Sequence, residues 1–194
     1  MAEPLSPEAP LAFVFSPLVG SPLTTSAKFA VVSKSPLTER INDSLASSHF
    51  ALAGKKCACD AIVITGRARE LSVLVIDDGQ VRLEPAGELE GAACGFTQAQ
   101  LKQRFAADFH FAVIGPAGER QVRYATISHD GRHAGRGGSG AVLGAKNIKA
   151  IAVRGTQRVR WADSAGLVDY AKRLSEQSFG PATAKYRELG TATN

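Results

Sequence analysis

Residues 129–153, HDGRHAGRGGSGAVLGAKNIKAIAV, constrain this chain more than any other stretch. Gly135, Gly137, Gly138 and Gly140 crowd together beside Arg132 and Arg136, and Lys146 and Lys149 follow. Glycines this close let backbone N–H groups turn toward one point without interference from Cβ atoms. Arginines add planar, bidentate contacts to an oxyanion. The apolar run that follows pins the loop to a sheet. The segment therefore reads as a cradle for a phosphorylated or otherwise anionic ligand. The competing reading is a turn that merely packs a helix against a strand; two arginines within the loop favour ligand contact.

Gly135-Arg136-Gly137-Gly138-Ser139-Gly140 matches the GxGxxG pattern formally. A dinucleotide site needs a strand directly before it, a long helix after it and an acid about 20 residues on. Here the polar SHDGRH precedes it, only a short helix fits before Ile148, and Arg158 and Arg160 stand where the acid belongs. A phosphate-binding GxxxxGK[ST] loop fails too, because Lys146 follows Gly144 after one residue and Asn147 replaces the hydroxyl residue.

The net charge is +5, unevenly spread. Nine basic residues (Arg120, Arg123, Arg132, Arg136, Lys146, Lys149, Arg154, Arg158, Arg160) lie between positions 119 and 160, against Glu119 and Asp130. An anionic partner near the glycine loop is expected. Aromatic residues are sparse there, only Tyr124 and then Trp161, so nucleic acid is not the expected partner. Cys57, Cys59 and Cys94 form no CxxC pair and read as plain thiols, not a disulfide or metal framework. His49, after Ser47-Ser48, could act as a general base; a semi-buried histidine at a helix start is the reading taken. No run is long enough to cross a bilayer, and MAEPLSPEAP lacks the features of a signal peptide, so a cytoplasmic protein is expected.

Short strand patterns fall at residues 11–15, 28–32, 61–65, 72–76, 81–84, 109–114, 122–127 and 148–153. Those at 61–65, 72–76 and 81–84 read as a three-strand meander, its second turn marked by Asp77-Asp78-Gly79. The polar TERINDSLASS reads as a loop. Helices are expected near 49–53, at 97–106 with Thr97 as N-cap, at 139–144, at 163–177 capped by Asp163 with Leu167, Ala171 and Leu174 buried, and at 181–189. No short-period repeat is visible. This is an α+β pattern of mixed β-sheets with short helices. Residues 1–10 form a flexible lead-in, 11–160 a base domain and 161–194 a helical segment.

The blocks VVSKSPLT (31–38), DSLASSHFA (43–51), CDAIVITG (59–66), FAVIGPAGERQVRYATISHDGRHAGRGGSGAVLGAKNIKAIAVRG (111–155) and YRELGTATN (186–194) carry a resemblance over nearly the whole chain. The sequence resembles the N-terminal domain of tungsten-containing aldehyde:ferredoxin oxidoreductases, their bacterial branch in particular. The resemblance implies a base plate of two related halves under a tungsten-bis-molybdopterin cofactor, whose pterin phosphates are bridged by magnesium. It assigns Arg132, His133, Ala134, Gly135, Arg136, Gly137 and Gly138 to the cofactor, together with Leu45, Ala46, Ser47 and Lys28. The magnesium would take the backbone carbonyls of Leu45 and His133. Lysine at position 28, where the family has a basic residue, keeps the charge without the bidentate fork.

The resemblance also implies parts beyond this sequence. The family's first half begins upstream with a hairpin, and helical domains downstream supply the [4Fe–4S] cysteines and the catalytic residues. This sequence carries none of these, so it reads as a partial module with an incomplete first half and the start of a helical domain at its C-terminus. Its expected partners are the remainder of the enzyme or a companion subunit, an aldehyde substrate, and ferredoxin or a similar electron carrier. A catalytically inactive gene fragment and a stand-alone anion-binding module are the alternatives.

Overall fold

Alternating burial builds the first sheet. In β1 (Leu11–Phe15) the side chains of Leu11, Phe13 and Phe15 point inward; in β2 (Lys28–Lys34) those of Phe29, Val31 and Ser33 do. Antiparallel pairing joins these strands to β3 (Ile41–Ser47) and β4 (Ala61–Ile64) in the order β3-β2-β1-β4. Helix α1 (His49–Lys55) covers the inner face, and its Phe50 ring packs 5.5 Å from Phe29 and 5.7 Å from Phe13. Burying each such ring contributes roughly 2–3 kcal/mol. The computed structural model describes residues 2–190, so the end of the YRELGTATN block, residues 191–194, lies outside the described residues.

The second sheet comprises β5 (Ser72–Asp77), β6 (Gln80–Pro85), β7 (His110–Val113), β8 (Ile127–His129), β9 (Arg132–Ala134) and β10 (Ile148–Arg154), in the order β6-β5-β10-β7-β8-β9. β5 and β10 run parallel and the other pairs antiparallel. Both faces of this central pair are covered, as parallel pairing requires. Leu74, Ile76, Ile151 and Val153 face the first sheet, while Val73, Val75, Ala150 and Ala152 pack with Leu101 of α2 (Cys94–Arg104). Two short helices, α3 (Pro116–Glu119) and α4 (Ser139–Ala145), bracket the glycine segment; α5 (Ser164–Ser178) and α6 (Pro181–Glu188) follow. Asp163 caps α5 through the Gly166 amide at 2.9 Å, and Ala171 is the buried residue of that helix. Among the described residues no helix is long and apolar enough to cross a membrane.

Four expectations need correction. The meander does not form: β4 joins β1 in the first sheet, and only β5 and β6 make a hairpin, through Asp78 and Gly79 at φ 47° and 85°. The chain leaves β4 through Gly66, whose amide is held by the Pro7 carbonyl at 2.8 Å, so no tight turn returns it. TERINDSLASS is no loop but contains the whole of β3. This edge strand turns only the small Ser44 and Ala46 inward, which hides its apolar face from a pattern search. Finally, residues 122–126 form a turn and coil, Ile127 opens β8, and the β8–β9 hairpin bends at Asp130 and Gly131, at φ 45° and 73°. α2 also begins at Cys94, which leaves Thr97 buried inside it and not capping it.

The topology is duplicated. Apart from α3, inserted between β7 and β8, the units β1-β2-β3-α1-β4 and β7-β8-β9-α4-β10 share element order, and their strands pair in the same antiparallel pattern. The sequence carries a faint trace of this: Gly54 and Ala61-Ile62 to Gly66 correspond to Gly144 and Ala150-Ile151 to Gly155. In the second unit the β5–β6 hairpin lies along β10, whereas among the described residues the outer edge of β4 is unpaired.

Candidate functional site

The two sheets meet where β3 approaches β9, so equivalent edges of the two units face each other. That is an isologous arrangement. Few direct bonds cross this seam. The Arg136 amide donates to Ser44 Oγ at 3.1 Å, and Asn42 Nδ2 donates to the Arg136 carbonyl at 3.3 Å. A cleft of about 400 Å³ lies beside a second of about 530 Å³ along this line. The larger is lined by Asp43, Ser44, Leu45, His133, Gly135 and Arg136. Ser47 and Arg132 border the smaller, with Ser48, His49 and Asp130.

The fold thus brings together the two stretches singled out in the sequence, 45–47 and 132–138. Leu45, His133, Gly135 and Arg136 share one cleft; Ser47 and Arg132 share its neighbour. Lys28 lies opposite Ser47 across β2 and β3 and borders a shallower groove with Leu45. Ala46, Ala134 and Gly138 are buried, so only their backbones could reach a ligand.

Three of the four crowded glycines answer to packing. A Cβ on Gly137 would overlap the Asn42 side chain, one on Gly138 the Arg123 carbonyl, and one on Gly140 the Thr126 carbonyl. Gly138 also sits in the left-handed region, at φ 74°, as the N-cap of α4. Gly135 is different. A Cβ there would meet nothing within 4 Å and would project into open space at the larger cleft.

The basic run likewise divides. Lys149 is fully buried and pairs with Glu119 and the Ala92 carbonyl. Lys146 reaches the carbonyls of Pro7 and Gly66 at 3.1 and 3.3 Å, and burial pushes its pKa below the ordinary lysine value. Arg154 forms a two-pronged pair with Asp77, both bonds 2.7 Å. These three are internal fastenings and not part of an anion site, which corrects the expectation drawn from the whole run. Among the described residues Lys28, Arg132 and Arg136 make no side-chain hydrogen bond or ion pair. Their charges remain available to a ligand.

Behind the clefts lie groups that no site pattern in the sequence marks. His129 is fully buried, edge-on to Phe29 at 4.9 Å, with Nδ1 2.9 Å from Ser48 Oγ and Nε2 without a partner. Burial pushes its pKa down to about 4, against the opposing pull of Asp130. Burial alone would raise the Asp130 pKa; the nearby His110 and Ser48 side chains and the hydrogen bond from the Phe50 amide outweigh it and hold the carboxyl at about 2. The Asp130-Gly131 pair was a readable hairpin signal, the same dipeptide as Asp78-Gly79. His49 is exposed and stacks on His110 with ring centroids 5.5 Å apart. The cysteines are free thiols, and burial pushes Cys57 up to about 11.

Comparison with known proteins gives one consistent result. A family model described as "Aldehyde ferredoxin oxidoreductase, N-terminal domain" matches residues 1–155. The tungsten-containing aldehyde ferredoxin oxidoreductase of Pyrococcus horikoshii is 38% identical over 178 residues, which is 90% of this chain and 29% of that protein. The Pyrococcus furiosus enzyme is 40% identical over 163 residues, covering 83% and 27% respectively. The chain therefore spans less than a third of the length of these relatives. A solved structure, the active site complex BamBC of benzoyl coenzyme A reductase with 1,5 dienoyl-CoA, superposes over 90% of this chain and 27% of its own. Its TM-score is 0.87 and its sequence identity 32%.

Proposed function

The chain belongs to the aldehyde ferredoxin oxidoreductase N-terminal domain family, and from that premise we propose that it is the platform on which a tungsten-bis-molybdopterin rests. The observation that carries this reading is the meeting of equivalent edges: β3 brings Leu45 and Ser47, and β9 brings Arg132 and His133, to one seam between duplicated units. A ligand with two like arms suits such a seam. The chain's residues fit the group in charge and in space. Among the described residues Lys28, Arg132 and Arg136 are unpaired cations that suit phosphate oxygens, and Gly135 leaves room for close backbone approach.

In this reading 11–160 is the platform and 161–194 leads into helical domains. The cofactor-binding set is Lys28, Leu45, Ala46, Ser47, Arg132, His133, Ala134, Gly135, Arg136, Gly137 and Gly138. The backbone carbonyls of Leu45 and His133 would hold a magnesium ion beside the cofactor. When bound, the tungsten group would supply the redox chemistry that turns an aldehyde and water into a carboxylic acid, with two electrons and two protons leaving. This chain binds and orients the group. The remainder of the enzyme, or a companion subunit in the cytoplasm, would supply the catalytic residues, the ligands of a [4Fe–4S] cluster and the route to ferredoxin. The unpaired edge of β4, where β10 carries a hairpin, supports a further polypeptide completing the first half.

Arg136→Ala in the complete enzyme tests the assignment. It leaves a phosphate oxygen without its charged donor, so tungsten per enzyme, measured by elemental analysis after dialysis, should fall by roughly tenfold or more. Full tungsten occupancy in that variant would refute the assignment of Arg136.

A further inference from the structure

Directly behind the seam, a chain of side chains ties one unit to the other, and the platform reading gives it no role. Asp130 leaves the β8–β9 turn and reaches α1, where its Oδ2 accepts the Phe50 amide at 3.0 Å. Its Oδ1 lies 3.6 Å from His110 Nδ1, at the start of β7. Ser48, the N-cap of α1, accepts the same Phe50 amide at 3.2 Å and bonds His129 Nδ1 at 2.9 Å. Two consecutive residues of the hairpin therefore grip one helix terminus in the opposite unit. Arg132 and His133 follow the turn almost at once.

We infer that Asp130 is a positioning residue: its carboxylate fastens the β8–β9 hairpin to α1 and so sets where Arg132 and His133 stand relative to Leu45 and Ser47. The fastening itself stands on the geometry alone; only its consequence for the cofactor rests on the platform reading.

Two simpler roles explain less. A turn former at φ 45° could be asparagine or glycine, and neither role requires a carboxylate aimed at a helix amide. A charge role has the wrong sign. An acid in the wall of a cleft it shares with Arg132 repels a phosphate, unless its oxygens are engaged elsewhere. Here they are, by Phe50 N–H and His110. The Phe50 amide is also a clean reporter. It lies in the first turn of α1, where no intrahelical acceptor exists, so Ser48 and Asp130 alone shield it from water.

The test compares Asp130→Asn with Asp130→Gly in the full chain by residue-resolved amide hydrogen exchange. Both remove the charge and both accept the left-handed turn, but only asparagine keeps a second acceptor for Phe50 beside Ser48 Oγ. Asp130→Gly should speed exchange at Phe50, Arg132 and Arg136 by roughly tenfold or more, with β5 unchanged; Asp130→Asn, which loses the charge but keeps the acceptor, should show a clearly smaller rise. Should Asp130→Gly not fold, Asp130→Ser takes its place. In the complete enzyme, tungsten occupancy should fall for glycine and hold for asparagine. The inference is overturned if both variants exchange like wild type, if asparagine behaves like glycine, or if exchange rises evenly throughout. If the hairpin loosens as expected but Arg136→Ala keeps its tungsten, the fastening stands and the platform reading falls.

Discussion

Gly138→Ala is expected to destabilise the chain by on the order of 3–5 kcal/mol, while Gly135→Ala, three residues earlier, should change stability by only about 0.5 kcal/mol. The two glycines look alike in the sequence and differ in what surrounds them. Gly138 holds φ 74°, and a methyl group there would overlap the Arg123 carbonyl oxygen and crowd Pro36 at 3.1 Å. Neither neighbour can yield easily, because one is backbone and the other a rigid ring. Gly135 lies outside the left-handed region, and its added methyl meets nothing within 4 Å. In the complete enzyme the outcome should reverse in kind: Gly135→Ala folds normally but loses cofactor, because the methyl occupies space at the cleft. Urea midpoints for the two variants, with tungsten content for the second, check this. Equal midpoints would show that the Arg123 carbonyl is not fixed against Gly138.

The same contrast explains what could be read from the sequence and what could not. Apolar runs located β1, β2, β5 and β10, because those strands bury nearly every residue of one or both faces. Asp78-Gly79 located the β5–β6 turn, because its left-handed geometry admits few other residues. β3 escaped notice because its inward side chains are Ser44 and Ala46, small enough to pass for a loop. The resemblance singled out both halves of the site by residue, whereas pattern reading alone found only the glycine loop. Neither could tell Gly135 from Gly138, or an available arginine from an engaged one. Lys149 reads as part of a basic patch until Glu119, 30 residues away in sequence, is seen beside it. Such pairings are long-range facts. The duplication is of the same kind, since its trace in the sequence is a few glycines and an Ala-Ile step about 90 residues apart, and only the strand order makes it plain.

Acid should unfold this chain in two stages, and the first belongs to His129. Its pKa is about 4 in the folded state against an ordinary 6.5. Between those values the unfolded chain binds a proton that the folded chain refuses, so stability rises with pH across that window. Lowering the pH from 7 to 4 should therefore cost roughly 3 kcal/mol from this one group. Asp130 works in the opposite sense of charge but the same direction of pH. Its carboxylate, at about 2 against 3.8, contributes stability above pH 4 that is lost as the pH falls further, roughly 2 kcal/mol in all. His129→Gln, which cannot take up a proton, should flatten the upper stage and leave the lower one in place. The free energy of urea unfolding, measured from pH 7 to pH 3, gives both stages directly. An unchanged slope above pH 4 in His129→Gln would mean that another group carries it. Protonation at His129 also strikes where the hairpin meets α1, between Phe29 and Ser48. The Phe50 amide should therefore lose protection at mildly acidic pH before the parallel β5–β10 pair does, and the approach of the two units should loosen first at the seam that bears Arg132 and His133.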